Sequence, residues 1–267
     1  MVDVRLSSDT GLRLPTVVAL VLTALLAISF GVIAAIPQTA HASGNTKVLV
    51  LTKAKEKGEL SDLIEETKTY KYNKKGLIKA VKTSGSYWDS EPNSYKYVKT
   101  YSYDKKYRLK SCSEKDVSGG SSSPTKVTYK LNKKGYVVKG SNAAKYTYNS
   151  KGRLIRLNDN GSTMKFSYNK KGRLTSYARG SDGEWGNAQK LKYDKKGRIV
   201  SPSDAEKATY KSGRLKTVTL AYYPGEINSV KTFTFKKITV PKKYAKMIKA
   251  QQAALIWGIL PVEAAHR

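Results

Sequence analysis

A nine-residue pattern recurs six times along the chain, and this repetition constrains the fold more than any other feature of the sequence. The pattern is Tyr-x-Tyr, then Asn or Asp, two polar residues, usually Gly, a residue that is most often Arg, and a closing aliphatic residue. The copies are YKYNKKGLI (70–78), YSYDKKYRL (101–109), YKLNKKGYV (129–137), YTYNSKGRL (146–154), FSYNKKGRL (166–174) and LKYDKKGRI (191–199). ATYKSGRL (208–215) is a shortened copy, and FTFKKITV (233–240) is a decayed one. Repetition at this period indicates an array in which each unit packs on its neighbours.

Each unit has the features of one β-hairpin. Side chains alternate between the two faces of a strand, so Tyr-x-Tyr puts both aromatic rings on one face. Asn or Asp accepts backbone hydrogen bonds at the start of the turn, lysines occupy the tip, and Gly takes the left-handed conformation. These features predict a type I turn closed by a glycine bulge, with Tyr148 opposite Leu154 and Tyr168 opposite Leu174.

A single hairpin of this size is marginally stable, so neighbouring units must pack together to bury their apolar faces. The sequence therefore predicts an all-β fold, an array of about eight antiparallel β-hairpin repeats of roughly 20 residues each. The array forms an extended or curved sheet and is followed by a C-terminal helix. The predicted segments are a signal peptide (1–42), an N-terminal lead-in or cap (43–67), the repeat array (68–240) and a helical tail (241–267).

Departures from the pattern also carry predictions. Tyr107 replaces the turn glycine in the second copy, and a side chain there costs steric strain in the left-handed conformation, so we expect that hairpin to use a different loop. Gly, Ser and Pro mark 84–94, 116–125 and 179–187 as loops between units. Trp88 and Trp185 fall within two of these loops.

The N-terminal segment is typical of a secretory leader. Residues 16–36 carry no charge, and Ala40-His41-Ala42 forms a small-residue cleavage site, so the predicted mature chain starts at Ser43. An uncleaved membrane anchor is the alternative, because 21 apolar residues are long enough to span a bilayer. Both alternatives place the rest of the chain outside the cytosol.

The two ends of the array are less regular. Lys47–Thr52 is a short strand candidate, whereas Glu59–Glu66 fits either a helical turn or an irregular strand. Lys242–Trp257 contains helix formers and ends before Gly258 and Pro261, which predicts a helix. This helix either caps the open end of the sheet or lies on a membrane surface.

Composition excludes most catalytic chemistry. The chain has 40 Lys and 10 Arg against 20 acidic residues, a net charge of +30, one Cys and two His. A single Cys112 excludes disulfide scaffolds within one chain. His41 lies in the predicted leader and His266 is the penultimate residue, so triads and His-based metal sites are not expected. We expect no cofactor. The charge indicates an anionic partner or, alternatively, a solvated surface that keeps the protein soluble.

The candidate site residues lie at the hairpin tips and in the loops. Tip lysines would attract anionic polymers such as phosphate-bearing wall glycopolymers, and loop aromatics would stack on sugars. The tip residues are Lys74, Lys75, Lys105, Lys106, Lys133, Lys134, Lys151, Lys170, Lys171, Lys195 and Lys196. The glycan-stacking candidates are Tyr87, Trp88 and Trp185.

The repeat unit resembles the YD-repeat, or RHS-type, family of bacterial secreted and surface proteins. The resemblance covers about residues 68–240, and 146–154, 166–174 and 191–199 match most closely. It implies consecutive antiparallel hairpins that wind into curved sheets, which in long members enclose toxin cargo and in related proteins act in surface contact. Here Asn outnumbers Asp at the turn, and about eight units are too few to close a shell.

The sequence thus predicts a secreted or cell-wall-associated, non-enzymatic binding or scaffold protein whose partner is an anionic wall glycopolymer or a surface carbohydrate. One alternative is a carboxylate-dependent glycan-active enzyme that uses Asp182 with Glu184, or Asp204 with Glu206. Another is a fragment of an RHS-type toxin or contact system. Specific nucleic-acid binding is not expected, because Lys replaces Arg and no nucleic-acid motif is present. A membrane is expected as a partner only through an uncleaved leader.

Overall fold

The computed structural model describes residues 44–59, 62–119, 123–181, 184–203, 205–221 and 226–265. The predicted signal peptide (1–42) and the cleavage site before Ser43 lie outside the described residues. Within the described part, no helix has the length and apolar character needed to cross a membrane.

Strands make up most of this part of the chain. They are β1 (Asn45–Gly58), β2 (Leu63–Tyr72), β3 (Ile78–Asp89), β4 (Glu91–Tyr103), β5 (Leu109–Asp116), β6 (Thr125–Leu131), β7 (Val137–Gly140), β8 (Lys145–Tyr148) and β9 (Leu154–Asp159). They continue with β10 (Ser162–Tyr168), β11 (Leu174–Ser181), β12 (Glu184–Trp185), β13 (Gln189–Lys190), β14 (Lys192–Tyr193), β15 (Ile199–Ser201), β16 (Glu206–Lys211), β17 (Arg214–Leu220) and β18 (Ser229–Pro241). One helix, α1 (Lys242–Trp257), and a short 3₁₀ turn (Val262–Ala264) follow.

The strands form one long antiparallel sheet of 16 strands and a separate β14–β15 hairpin. The order in the sheet is β12-β11-β10-β9-β8-β7-β6-β5-β4-β3-β2-β1-β18-β17-β16, with β13 also paired to β11. From β2 to β12 each strand lies beside the one that precedes it in the chain, as expected for consecutive hairpins. The all-β hairpin array with a C-terminal helix is therefore confirmed.

The sheet is curved, and the β14–β15 hairpin lies between its two ends. On one side the Leu191 N–H donates to the Thr175 carbonyl at 2.9 Å, and on the other the Tyr210 hydroxyl donates to the Ile199 carbonyl at 2.8 Å. Side chains of β11 and of β17 belong to the same buried cluster. The sheet thus has an inner face, which carries the core, and an outer face, which is exposed to solvent; its hydrogen-bonding ladder is not closed.

The predicted hairpin register is confirmed. Tyr148 pairs with Leu154 and Tyr168 with Leu174, each beside a register shift. Gly152 and Gly172 have φ of +74° and +83°, the left-handed conformation that the turn requires.

The expectation of a different loop at Tyr107 is wrong. Tyr107 has φ of +58°, its N–H donates to the Asp104 carbonyl, and the Asp104 N–H donates to the Arg108 carbonyl, which are the same hydrogen bonds as in the glycine turns. The Tyr107 ring packs edge-on against Tyr244 of α1, with ring centroids 5.0 Å apart. This contact opposes the cost of placing a side chain in the left-handed region.

Several loop predictions are also wrong, because strand pairing continues through polar residues. Residues 84–94 belong to the long β3–β4 hairpin, which turns at Ser90 with φ of +61°. Arg179–Ser181 and Glu184–Trp185 are strand residues. In the segment 116–125, the first residue belongs to β5 and the last to β6.

Residues 233–240, the predicted decayed repeat, form part of the single strand β18 rather than a hairpin. For Glu59–Glu66, the sequence left a helical turn and an irregular strand as alternatives. The pairing of β2 with β3 begins at Leu63 with a register shift, which agrees with the irregular strand.

In four of the repeats the second tyrosine links its hairpin to the preceding one. The Tyr168 hydroxyl donates to the Leu154 carbonyl at 2.8 Å, and the Tyr193 hydroxyl donates to the Leu174 carbonyl at 2.7 Å. Tyr103 makes the equivalent bond to the Ile78 carbonyl. Each acceptor is the aliphatic residue that closes the preceding turn, so the repeat pattern encodes the contact between units as well as the hairpin.

Helix α1 caps the inner face. It begins after Pro241 and ends at Gly258, whose φ of +64° is the left-handed helix stop that the sequence predicts. The buried amides of Gln251 and Gln252 accept hydrogen bonds from the backbone N–H groups of Ile78 and Leu51. The predicted helix is confirmed, but its buried side chains pack on the inner face of the sheet over β1 and β18, whereas the prediction placed it as a cap over the open end of the array.

Candidate functional site: a lysine rim

The sheet topology places the repeat turns on one edge. Successive strands run in opposite directions, so the β2–β3, β4–β5, β6–β7, β8–β9 and β10–β11 turns all lie at the same end of the strands. The β14–β15 turn joins them, because the Arg173 side chain from the β10–β11 turn covers Gly197. We call the eleven tip lysines of these six turns the lysine rim, which comprises Lys74, Lys75, Lys105, Lys106, Lys133, Lys134, Lys151, Lys170, Lys171, Lys195 and Lys196.

The turn residues orient these lysines toward solvent. Oδ1 of Asn149 accepts hydrogen bonds from the backbone N–H groups of Lys151 and Arg153, each at 3.0 Å, which closes the turn and leaves the lysine side chain outside. Every member of the lysine rim is exposed except Lys75. Lys75 is half-buried, and its Nζ lies 5.9 Å from the centre of the Tyr107 ring.

Side chains that follow the turns fix the spacing between tips. A Cβ atom added at Gly172 would lie 2.5 Å from Cζ of Arg153, because this guanidinium group crosses the neighbouring turn. Tyr136 covers Gly152 in the same way. Arg153 also lies over the Tyr168 ring, 5.8 Å from its centre. The tips are thus held side by side, with neighbouring hairpins about 10 Å apart, twice the strand spacing.

The acidic residues of these turns do not neutralise the lysine rim. Partial burial acts to raise the pKa of Asp104, but hydrogen bonds from the backbone and the guanidinium group of Arg108 outweigh it and lower the pKa below its ordinary value of 3.8. Asp194 is held by Arg198 at 2.6 Å. Among the described residues, no carboxylate forms an ion pair with a lysine of the rim.

The outer face carries a second set of cations that the sequence analysis missed. Lys130, Lys139 and Lys145 are directly opposite one another on β6, β7 and β8, and all three are exposed. Arg156 and Lys165 are paired in the same way on β9 and β10. Like charges directly opposite each other destabilise a sheet, so these rows favour an anionic counterpart. The signal in the sequence is a lysine next to a core residue in each strand, but only the pairing register shows that these lysines meet.

The three aromatic candidates do not converge. Tyr87 and Trp88 are adjacent on β3 and therefore project to opposite faces of the sheet. Trp185 lies on β12, nine strands away in the sheet order, or about 40 Å along its curve. Both tryptophans lie near strand ends opposite the lysine rim, since the β3–β4 and β11–β12 connections are at that edge.

The two tryptophans differ in accessibility. Trp88 is 55% exposed. The Trp185 ring packs against Gly180, and Nζ of Lys165 lies 3.5 Å from the ring centre. A sugar that stacks on this face of Trp185 would have to displace the lysine, so Trp88 has the more open ring.

Charged residues also line the inner face, away from the lysine rim. Lys231 pairs with Glu56 at 3.0 Å, and Lys68 pairs with Glu66 at 2.9 Å. Burial raises the pKa of Glu206, whose carboxylate accepts a hydrogen bond from the Ser203 hydroxyl at 3.0 Å. These pairs satisfy charges that would otherwise be costly inside the curved sheet.

The structure gives no distance between the carboxylates that the enzyme alternative requires. Asp182 and Asp204, one member of each proposed pair, lie outside the described residues, and Glu184 is exposed.

Cys112 is buried, and its Sγ lies 3.0 Å from the Tyr129 hydroxyl. In the part of the chain that the structure describes, no group of three or more His, Cys, Asp or Glu residues could hold a metal ion.

No protein-family model and no curated protein matches the chain. Among solved structures, it is similar to a porin-like protein from Bacteroides uniformis ATCC 8492, with 14% identity and a TM-score of 0.46 over 70% of this chain and 98% of that chain. It is also similar to a chain of the Photorhabdus luminescens Tc holotoxin pore, with 12% identity and a TM-score of 0.31 over 62% of this chain and 11% of that chain. A chain of the complex of TcdB2 with TccC3 without its hypervariable C-terminal region gives 12% identity and a TM-score of 0.31 over 64% of this chain and 12% of that chain. Similarity at this level identifies neither a family nor a function.

Proposed function

We propose that this protein is a secreted or cell-wall-associated, non-enzymatic binding protein whose lysine rim attracts anionic wall polymers. The observation that carries the proposal is the alignment of six turns on one edge, with ten exposed lysines that no described carboxylate pairs with. The tryptophans of β3 and β12, Trp88 above all, would add sugar contacts at the opposite edge.

The spacing of the tips explains why a polymer is favoured over a small anion. Neighbouring tips are about 10 Å apart, which equals the screening length of about 10 Å at 0.1 M salt, so the ammonium groups of adjacent turns repel one another in the free protein. A linear polyanion laid along the edge would contact several tips at once and relieve this repulsion. A small anion would contact only one.

Family membership is part of the proposal. The repeats at 146–154, 166–174 and 191–199 support a short secreted member of the YD-repeat, or RHS-type, family. The leader at 1–42 supports export by a Sec-type route, with a membrane anchor as the alternative.

Retention on wall fragments that bear teichoic acid tests the proposed function. We expect retention at about 0.01 M salt, where the screening length is about 30 Å, and release at about 1 M, where it is about 3 Å. Replacement of Lys170, Lys171, Lys195 and Lys196 by Ser should abolish low-salt retention.

A matched control removes the same charge from another part of the surface. Lys57, Lys96, Lys115 and Lys207 are exposed on β1, β4, β5 and β16 toward the strand ends opposite the lysine rim, and their replacement by Ser should leave most of the retention intact. Equal loss in both quadruple variants would mean that only net charge matters. Retention of the wild-type chain in 1 M salt would contradict the electrostatic proposal.

A further inference from the structure

A carboxylate and a lysine lie directly opposite each other on β1 and β18, the first and last strands in chain order, which are neighbours in the sheet. Glu56 on β1 pairs in register with Lys231 on β18, and Nζ of Lys231 lies 3.0 Å from Oε2 of Glu56. Because a carboxyl C–O bond is about 1.2 Å long, Nζ lies no more than about 4.2 Å from the carboxyl carbon Cδ. Atoms that are positioned to react lie about 3–3.5 Å apart, so a small side-chain rotation is enough to bring Nζ onto Cδ.

The contact between these two groups is not aligned as a hydrogen bond. The Ser229 hydroxyl donates to Oε1 of Glu56 at 2.7 Å. Oε2 is buried and accepts no hydrogen bond from any described residue, although Nζ of Lys231 is close to it. A buried ion pair recovers the cost of removing its charges from water only when its geometry is good. A neutral amide in the same place would carry neither charge.

The surroundings of the pair are apolar on both sides. Val218 on β17 is directly opposite Lys231, and Ala54 precedes Glu56 by two residues and therefore lies on the same face of β1. Both Val218 and Ala54 are buried. An environment of this kind disfavours separate charges and favours the uncharged amine, which is the nucleophilic form of lysine.

A second carboxyl group belongs to the same cluster. Glu206 on β16 accepts a hydrogen bond from the Ser203 hydroxyl at 3.0 Å. Burial raises the pKa of Glu206, the charge of Lys231 acts to lower it, and the charge of Glu56 raises it further. A carboxyl group that keeps its proton more readily than usual, close enough to sense both charges, is suited to move protons between them.

We propose that Lys231 and Glu56 form an intramolecular isopeptide bond that joins β18 to β1. Nζ attacks Cδ, the C–N bond forms, and the bond from Cδ to one carboxyl oxygen breaks. That oxygen leaves as water with two of the three protons of the ammonium group, and the amide keeps the third. Glu206 carries the two protons one at a time and is regenerated, so the reaction needs no oxidant or other reactant.

Mass spectrometry of the denatured full chain tests the proposal. The mass of the folded and purified protein should be lower than its sequence requires by the mass of one water molecule. Proteolytic digestion should then release a branched peptide in which fragmentation places the link between Glu56 and Lys231. An ion pair without the covalent bond would give the full mass and two separate peptides.

Variants assign the chemistry to these residues. Lys231→Arg keeps the positive charge but removes the primary amine, and the variant should have the full mass. Glu206→Gln can still accept the hydrogen bond from Ser203 but cannot carry a proton in the same way, so most of this variant should remain unlinked. Lys68→Arg is the matched control, because Lys68 also pairs with a buried glutamate at the inner face, and this variant should keep the link. Melting curves of each variant show that it is folded.

Several results would overturn the proposal. A wild-type chain of full mass would show that the pair stays ionic. A loss of water that persists in Lys231→Arg would place the dehydration elsewhere, for example in a cyclic imide at Asp182-Gly183, and loss of the link in Lys68→Arg alone would assign it to the wrong lysine. Complete linkage in Glu206→Gln would refute the role of Glu206. The inference does not depend on the function proposed for the lysine rim, since the mass is measured without any ligand.

Discussion

The turn glycines allow the strain of the turn to be separated from the packing between neighbouring hairpins. Gly152 and Gly213 have nearly the same φ, +74° and +76°. A Cβ atom at Gly213 would have no heavy atom within 4 Å, whereas one at Gly152 would lie 2.8 Å from Cζ of Tyr136. Alanine at both positions therefore imposes the same backbone cost and differs only in the contact with the adjacent tip.

The two substitutions should have different magnitudes. Left-handed backbone costs about 1–2 kcal/mol for a residue other than glycine, and this is the whole expected loss in the free energy of unfolding for Gly213→Ala. Gly152→Ala must also displace the Tyr136 ring, which packs on Tyr148 with centroids 5.2 Å apart. Overpacking of this kind typically costs about 1–3 kcal/mol more.

Denaturant unfolding at equilibrium measures both losses, and Lys151→Ser at the same tip is the control. Lys151 is exposed, so its replacement should change the free energy of unfolding by less than about 0.5 kcal/mol. Equal losses for Gly152→Ala and Gly213→Ala would refute the lateral packing of the tips. A loss for Lys151→Ser as large as that for Gly152→Ala would refute the turn assignment itself.

Three further predictions concern the repeat link, the turn acids and the leader. Tyr168→Phe removes the hydroxyl that donates to the Leu154 carbonyl and should cost about 1 kcal/mol in thermal or chemical unfolding; no change would mean that the hydrogen bond contributes nothing. Asp104→Asn should keep the turn, as Asn does in other repeats, and at neutral pH should cost about 0–1 kcal/mol because the pair with Arg108 is partly exposed. The pKa of Asp104 is lowered in the folded state, so its contribution to stability is present above pH 3.8 and is lost as pH falls through the folded-state pKa. Unfolding curves of the Asn variant measured against pH should lack this dependence. The same pH dependence in the variant and the wild type would contradict the role given to Asp104. N-terminal sequencing of the exported protein should begin at Ser43, and an intact chain in the membrane fraction would favour the anchor.

Local chemistry was enough to predict the hairpins. Asn149 and Gly152 determine the turn through contacts within five residues, and alternation then gives the Tyr148–Leu154 pairing. The limits of helix α1 follow in the same way from Pro241 and Gly258. These features depend on neighbours in sequence, which is why they could be predicted without the fold.

Features that depend on distant residues were not predicted. Tyr107 keeps a strained turn because Tyr244, far along the chain, packs on its ring. Strands β3 and β4 extend through 84–94 because the hydrogen-bonded pairing between them continues beyond the apolar residues. The row Lys130, Lys139 and Lys145 exists only through strand register. The separation of Trp88 and Trp185 from the tips likewise follows from sheet topology rather than from local sequence.

The salt dependence of binding to a soluble anionic polymer is the sharpest test of the lysine rim as the binding surface. The slope of log K against log salt concentration reports how many charges the protein neutralises on the polymer. With poly(glycerol phosphate), we expect a steep negative slope for the wild-type chain. We expect a clearly shallower slope when Lys170, Lys171, Lys195 and Lys196 are replaced by Ser. Identical slopes for the wild type and this variant would contradict the assignment of polymer binding to the lysine rim.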